Sequence, residues 1–164
     1  MQIRLYGLVE DSIVDGPGFR LAVFTQGCPH DCPGCHNPGS HAMDGGTLRD
    51  TDEIAALLDA DPLLDGITLT GGEPFMQCGA CLELARAAHR RGMSVWCFTG
   101  YLYEQLEQRA DARALLDEVD VLVDGPLVLA ERSLELRFRG SRNQRVIDMA
   151  KTRAQGRVTP VQGM

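Results

Sequence analysis

The stretch FRLAVFTQGCPHDCPGCHNPGS, residues 19–40, joins a short apolar segment to a loop with three cysteines. Residues 19–26 have the apolar, aromatic composition of a buried strand that runs straight into the loop. The loop places Cys28, Cys32 and Cys35 at a Cys-x3-Cys-x2-Cys spacing, among glycines and prolines that let a chain curl around a compact ion or cluster. The stretch therefore predicts a metal site at the C-terminal end of a strand.

Three further segments have the same strand-like character, and each ends in glycine: residues 66–72, 94–100 and 119–125. Helical patterns lie between these strands: residues 51–59 with Thr51 as the expected N-cap, 77–92, and 103–117 with a break near Asp111. Alternating strands and helices predict a parallel sheet with right-handed crossovers, whose functional residues collect at the C-terminal ends of the strands. A complete eight-unit barrel needs about 250 residues. We therefore expect an α/β fold that forms a partial, open TIM-like barrel of parallel strands with outer helices.

The length of 164 residues suits one domain, which we place at residues 1–150. Within it, residues 145–149 form a short possible strand. The polar segment 151–164 is expected to be a flexible C-terminal tail.

Charge and hydropathy exclude several classes of function. Sixteen basic and twenty-three acidic residues give a net charge of −7, which argues against nonspecific nucleic-acid binding. No apolar run approaches the roughly 18 residues of a membrane span, and the N-terminus lacks the apolar core of a signal peptide. A cytoplasmic protein is expected, in which six cysteines indicate metal binding or catalysis before disulfides.

The spacing of the three cysteines leaves two metal sites open. Structural zinc would take its fourth ligand from a nearby histidine: His30, His36 or His41. A [4Fe-4S] cluster held by three thiolates would leave one iron without a protein ligand, and that iron could bind a small molecule.

The segment TGGEP, residues 70–74, follows the second strand, and with the cysteine loop it resembles the radical S-adenosylmethionine (SAM) superfamily. The resemblance implies that Cys28, Cys32 and Cys35 hold a [4Fe-4S] cluster whose open iron binds SAM. It also implies a set of SAM contacts: Gly34, Cys35, His36, Gly71, Gly72, Glu73, Thr99 and Asp124. Among them, Glu73 is expected to accept a hydrogen bond from the ammonium group of SAM. Many members carry an aromatic residue before the third cysteine to cover the adenine, whereas this chain has Gly34. His36 could supply the planar side chain instead, and a solvent-exposed loop histidine is the alternative. Structural capping is the alternative role for Thr99 and Asp124.

The segment DSIVDGPGFR, residues 11–20, resembles the glycyl-radical-enzyme activases within that superfamily, although Asp-Gly-Pro-Gly forms a turn whatever its function. Residues 96–101 (WCFTGY), 119–126 (VDVLVDGP) and 138–148 (FRGSRNQRVID) resemble the activases of anaerobic ribonucleoside-triphosphate reductase. Activases of pyruvate formate-lyase share the upstream motifs and are the alternative. A zinc-binding or electron-transfer module is a second alternative, which leaves these motifs unexplained.

The resemblance implies a reaction and its partners. Flavodoxin or ferredoxin reduces the cluster, SAM is cleaved reductively, and the 5′-deoxyadenosyl radical removes hydrogen from a glycine Cα in the large subunit of the reductase. No side chain is expected to act catalytically beyond the cluster and SAM. Four polar residues are expected to contact SAM or the partner protein: Arg139, Arg142, Asn143 and Arg145.

The other cysteines, Cys78, Cys81 and Cys97, lie in helical and strand patterns with apolar neighbours. We expect them to be small buried hydrophobes rather than ligands of a second cluster.

Overall fold

Four parallel strands form the centre of the sheet in the computed structural model, which describes residues 1–164. They are β2 (Arg20–Thr25), β4 (Gly66–Gly71), β5 (Ser94–Phe98) and β6 (Val121–Asp124). All four strands were predicted from their apolar runs. Their cores are buried because helices cover the parallel strands, as in other α/β folds.

The sheet has seven strands and is mixed, so the prediction of an all-parallel sheet is wrong at its edges. The order is β3-β1-β2-β4-β5-β6-β7, where β1 is Gln2–Ser12, β3 is Thr47–Asp50 and β7 is Arg145–Asp148. Strand β1 runs antiparallel to both β2 and β3, and β7 runs antiparallel to β6. The short strands β3 and β7 are therefore the two edge strands of the sheet, on opposite sides of the parallel centre.

Five helices connect and cover the strands: α1 (Thr51–Ala60), α2 (Cys78–Arg90), α3 (Tyr103–Glu107), α4 (Arg113–Glu118) and α5 (Met149–Gln155). The break expected near Asp111 is the gap between α3 and α4. The predicted N-cap Thr51 is wrong, because Asp50 precedes it and its carboxylate accepts the Asp52 N–H at 2.8 Å. Helix α2 buries the predicted stripe of Cys81, Leu84, Ala85 and Ala88.

The main core contains 26 buried apolar residues, which are distributed along the chain from Ile3 to Met149. Residues after Asp148 continue into α5, and Ile147 pairs with Pro160 in an isolated bridge. Flexibility of residues 151–164 in solution stays a prediction. None of the helices has the length and apolar character needed to cross a membrane.

Candidate metal centre

The C-terminal ends of the four parallel strands meet around one cavity of about 390 Å³. Strand β2 leads into the cysteine loop, β4 ends at Gly71 and Gly72, and β5 is followed by Thr99 and Gly100. This is the arrangement predicted for a sheet with parallel crossovers, because such strands direct their carboxyl ends to one edge. Cys28, Cys32 and Cys35 all line the cavity.

The three thiols are free and half-buried. The Asn37 N–H donates to Cys35 Sγ at 3.4 Å, and His41 Nε2 lies 3.4 Å from the same sulfur. No three His, Cys, Asp or Glu side chains converge tightly enough to hold a single metal ion. A zinc ion requires its ligands at about 2.0–2.3 Å, whereas thiolates on a [4Fe-4S] cluster bind different irons. Three thiols spread around one cavity therefore fit a cluster better than they fit zinc.

Burial raises the pKa of the Cys28 thiol to about 11. Iron binds cysteine as the thiolate, so cluster binding at this residue is coupled to release of a proton.

Gly71 and Gly72 line the cavity and pack against the end of β2. Gly71 has a φ of +112°, and the Gly72 N–H donates to Thr25 O at 2.9 Å. A Cβ at position 72 would lie 2.6 Å from Gly27 O, so a side chain would push this turn away from the cysteine loop. The glycines therefore allow close approach between two backbone segments of the protein, a role that the motif alone did not predict.

Glu73 is fully buried and is absent from the cavity lining. Its carboxylate accepts the Phe75 N–H at 3.0 Å and the Gly100 N–H at 2.8 Å. It also accepts the Thr99 hydroxyl at 2.8 Å and lies 2.6 Å from His30 Nε2. Glu73 thus connects the end of β4 with the end of β5 and the cysteine loop.

Thr99 and Asp124 have different positions. Thr99 lines the cavity and donates to Glu73. Asp124 is fully buried away from the cavity lining, where it accepts the Tyr103 N–H at 2.8 Å and pairs with Arg145. The capping alternative therefore describes the observed contacts of Asp124.

Gly34 and His36 lie on either side of Cys35. Gly34 has a φ of +75°, and a Cβ there would lie 2.5 Å from Leu129 Cδ2, so Leu129 covers this part of the loop. His36 lines the cavity.

Four residues were expected to contact SAM or the partner protein, and one of them lines the cavity. Arg139 lines it, with its guanidinium donating to Gln144 O at 2.6 Å. Arg142 is exposed, and Asn143 Nδ2 donates to Pro126 O at 2.8 Å. Arg145 binds both Asp124 and Glu104, and these hydrogen bonds raise the pKa of its guanidinium.

Several cavity residues were not predicted from the sequence. Val14 and Asp15, from the Asp-Gly-Pro-Gly segment, line the cavity. Buried Arg20 holds that segment by donating to Pro17 O at 3.2 Å and to Ile67 O at 2.9 Å. A signal was available in the sequence, because a charged residue, Arg20, stands two positions after a turn-forming motif and at the start of an apolar strand.

Phe138 also lines the cavity, at a φ of +59° that is uncommon for an aromatic residue. Its ring packs edge-on against Trp96 with a centroid distance of 5.3 Å. No local sequence pattern indicates this contact, because the two residues come from distant parts of the chain.

The remaining cysteines lie away from the cavity. Cys81 and Cys97 are fully buried, and burial raises the pKa of both thiols. Burial also raises the pKa of Cys78 to about 11. Cys81 and Cys97 match the prediction of small buried hydrophobes, whereas Cys78 is half-buried and its Sγ lies 3.1 Å from Phe75 O.

Comparison with known proteins adds a family to this geometry. Residues 14–147 match a family described as a 4Fe-4S single cluster domain. An anaerobic ribonucleoside-triphosphate reductase-activating protein from Salmonella typhimurium is 37% identical over 80% of this chain and 90% of its own. The protein of the same name from Escherichia coli K12 is 36% identical over the same shares. Among solved structures, QueE from Escherichia coli aligns with 16% identity and a TM-score of 0.48, covering 61% of this chain and 53% of that one.

Proposed function

Because the chain belongs to the family of anaerobic ribonucleoside-triphosphate reductase-activating proteins, we propose that it generates a glycyl radical on such a reductase. The observation that carries the proposal is the cavity lined by Cys28, Cys32 and Cys35, in a chain that matches a 4Fe-4S single cluster domain. The protein is then a radical SAM oxidoreductase, and its cofactors are a [4Fe-4S] cluster and SAM.

Cys28, Cys32 and Cys35 hold the cluster in this proposal, and the donor set fits because three thiolates leave one iron open. When bound, the cluster supplies the electron for reductive cleavage of SAM, which permits hydrogen abstraction from a glycine Cα. The protein positions the reactants and keeps water from them. The apolar part of the cavity suits the second task, since Phe24, Phe98 and Phe138 all line it.

SAM binds, in this proposal, across the ends of β4 and β5. Gly71 and Gly72 line the cavity, and the proposal assigns them to the methionine end of SAM. His36 lies next to Cys35 in the cavity and provides a planar face, with Gly34 beside it. Thr99 contributes by orienting Glu73 as well as by lining the cavity.

The fold proposal is a partial barrel that stays open between the edge strands β3 and β7, which the mixed sheet order supports. An open side gives a glycine-bearing loop of the large reductase subunit a route to the cavity. Arg139 at the cavity, the exposed Arg142 and the half-buried Asn143 provide polar contacts for that partner. Asp124 and Arg145 contribute indirectly, by fixing the end of β6.

Flavodoxin or ferredoxin is the proposed electron donor, because reductive cleavage requires a low-potential electron. A cytoplasmic location is part of the same proposal, since a reducing compartment keeps the six free cysteines available.

The test is anaerobic reconstitution with iron and sulfide, followed by addition of dithionite and SAM. We expect release of 5′-deoxyadenosine by the wild-type protein and none by Cys35→Ala, which lacks one of the three proposed cluster ligands. A wild-type protein that carries a full cluster and leaves SAM intact contradicts the proposal. Metal analysis that finds zinc without iron after anaerobic purification contradicts it independently.

A further inference from the structure

The carboxylate of Glu73 accepts all of its hydrogen bonds from groups of the protein itself. An ionised carboxylate offers about four lone-pair sites. Here the donors are two backbone N–H groups, of Phe75 and Gly100, one hydroxyl, of Thr99, and the ring of His30. The side chain is 0% exposed and does not line the cavity. An ammonium group arriving in the cavity therefore meets no free acceptor on Glu73.

His30 is the one partner of Glu73 that belongs to the cysteine loop. Its Nε2 lies 2.6 Å from Glu73 Oε1, and its side chain is only 16% exposed. An ionised carboxylate accepts only, so Nε2 carries the hydrogen of this bond. The ring is further held by Tyr101, whose ring meets it edge-on with centroids 4.5 Å apart.

The backbone at Gly100 closes the third side of the His30 ring. A Cβ at position 100 would lie 2.7 Å from His30 Nε2 and 2.8 Å from Cγ. Only glycine at this position lets the ring reach Glu73 without displacement. The imidazole is thus held on three sides by residues that follow β4 and β5, while His30 also lines the cavity.

His30 lies two residues from both Cys28 and Cys32, so movement of its backbone moves two of the three thiols. We infer that Glu73 and His30 form a clamp that positions the cluster-binding loop, with Glu73 acting through His30 rather than as the acceptor for the ammonium group of SAM. The inference rests on the proposed function only in assigning the cluster to Cys28, Cys32 and Cys35. Glu73 and His30 are positioning residues in this account.

The experiment compares five variants after reconstitution: His30→Ala, His30→Gln, Glu73→Gln, the double variant H30A/E73Q, and His89→Ala as the control. His89 also pairs with carboxylates, Glu118 and Asp120, but at a distance from the cavity lining. The rate of cluster loss to an iron chelator is followed by visible absorbance without SAM. The EPR spectrum of the reduced cluster is recorded without SAM, and SAM affinity is measured on the cluster-loaded proteins.

We expect H30A and E73Q each to lose the cluster roughly 10-fold faster than wild type, the range typical of outer-shell changes at metal sites. The effects of the two substitutions should be less than additive in the double variant, because both weaken the same hydrogen bond between His30 and residue 73. His30→Gln places an amide donor near the position of Nε2, so it should restore most of the retention and the wild-type EPR spectrum. His89→Ala should match wild type.

Two results overturn the inference. One is H30A retaining its cluster, with an unchanged SAM-free EPR spectrum. The other is E73Q losing SAM affinity by 10-fold or more while its cluster retention stays at the wild-type value, which would make Glu73 a direct SAM ligand. Because cluster loss is measured without SAM or reductase, wild-type protein that fails to cleave SAM contradicts the proposed function and leaves the clamp intact.

Discussion

Leu129 packs directly over Gly34, so that a Cβ at position 34 would lie 2.5 Å from Leu129 Cδ2. Gly34 also has a φ of +75°, a conformation that L-residues rarely adopt. The segment after β6 and the cysteine loop are therefore fitted to each other at this point.

Gly34→Ala should destabilise the protein by about 1–3 kcal/mol, through left-handed backbone strain and the clash with Leu129. The measurement is urea unfolding of the variant without cluster. Gly34→Ala should cost less unfolding free energy in the L129A background than in the wild-type background. Removal of the Leu129 side chain relieves the clash, whereas the backbone strain at position 34 remains. Additive effects of the two substitutions would show that the contact is energetically unimportant.

Alanine substitution of Cys28, Cys32 or Cys35 should abolish the visible absorbance of the reconstituted cluster. The matched control is Cys78→Ala, since Cys78 is half-buried like the loop cysteines but lies outside the cavity. Iron and sulfide content per chain checks the prediction. Iron loss in C78A with retention in C32A would move the metal site away from the loop.

Arg20→Met should lower the free energy of unfolding by roughly 3 kcal/mol or more, because it leaves several buried acceptors unpaired. The guanidinium donates to Thr68 Oγ1 at 2.8 Å and to Ile67 O and Ser94 O at 2.9 Å. The control is Arg91→Met, which removes an ion pair with Asp59, a side chain that is 63% exposed. Such a pair contributes about 0–1 kcal/mol. Equal losses in urea unfolding would contradict the structural role of Arg20.

Stability should depend on pH through His89. Burial lowers the pKa of His89, but hydrogen bonds to Asp120 and Glu118 outweigh burial and raise the pKa above its usual value. Because the pKa of His89 is higher in the folded protein than in the unfolded chain, its contribution to stability is fully present below the unfolded-state pKa of about 6.5. The stabilisation is lost as the pH rises through the folded pKa. The difference in unfolding free energy between wild type and His89→Gln should therefore shrink as the pH rises above about 6.5. A difference that grows with pH contradicts this assignment.

The central strands were predictable because their residues are buried on both faces and form continuous apolar runs. Strand β1 was not, since its exposed and buried residues alternate irregularly and its register shifts between Leu5 and Gly7. The four residues of β3 are too few to carry a pattern. Both strands are decided by pairing between segments distant in the sequence: β1 pairs with β2, and β3 pairs with β1.

The site shows the same division. The cysteine loop and the Gly-Gly turn are local patterns with direct chemical meaning, so both could be read from the sequence. The partners of Glu73 could not, because His30 lies 43 residues away and Thr99 lies 26 residues away. Only the folded sheet brings these side chains together, and their convergence changes the role inferred for Glu73.

The central claim is tested most directly by EPR spectroscopy of the large subunit of anaerobic ribonucleoside-triphosphate reductase, mixed anaerobically with the reconstituted protein, a reductant and SAM. The account predicts a glycyl-radical signal on the reductase that depends on SAM and disappears with the C35A variant. Pyruvate formate-lyase, tested in parallel, should give no such signal. A signal on pyruvate formate-lyase alone, or none on either enzyme with a cluster-loaded protein, would contradict the account.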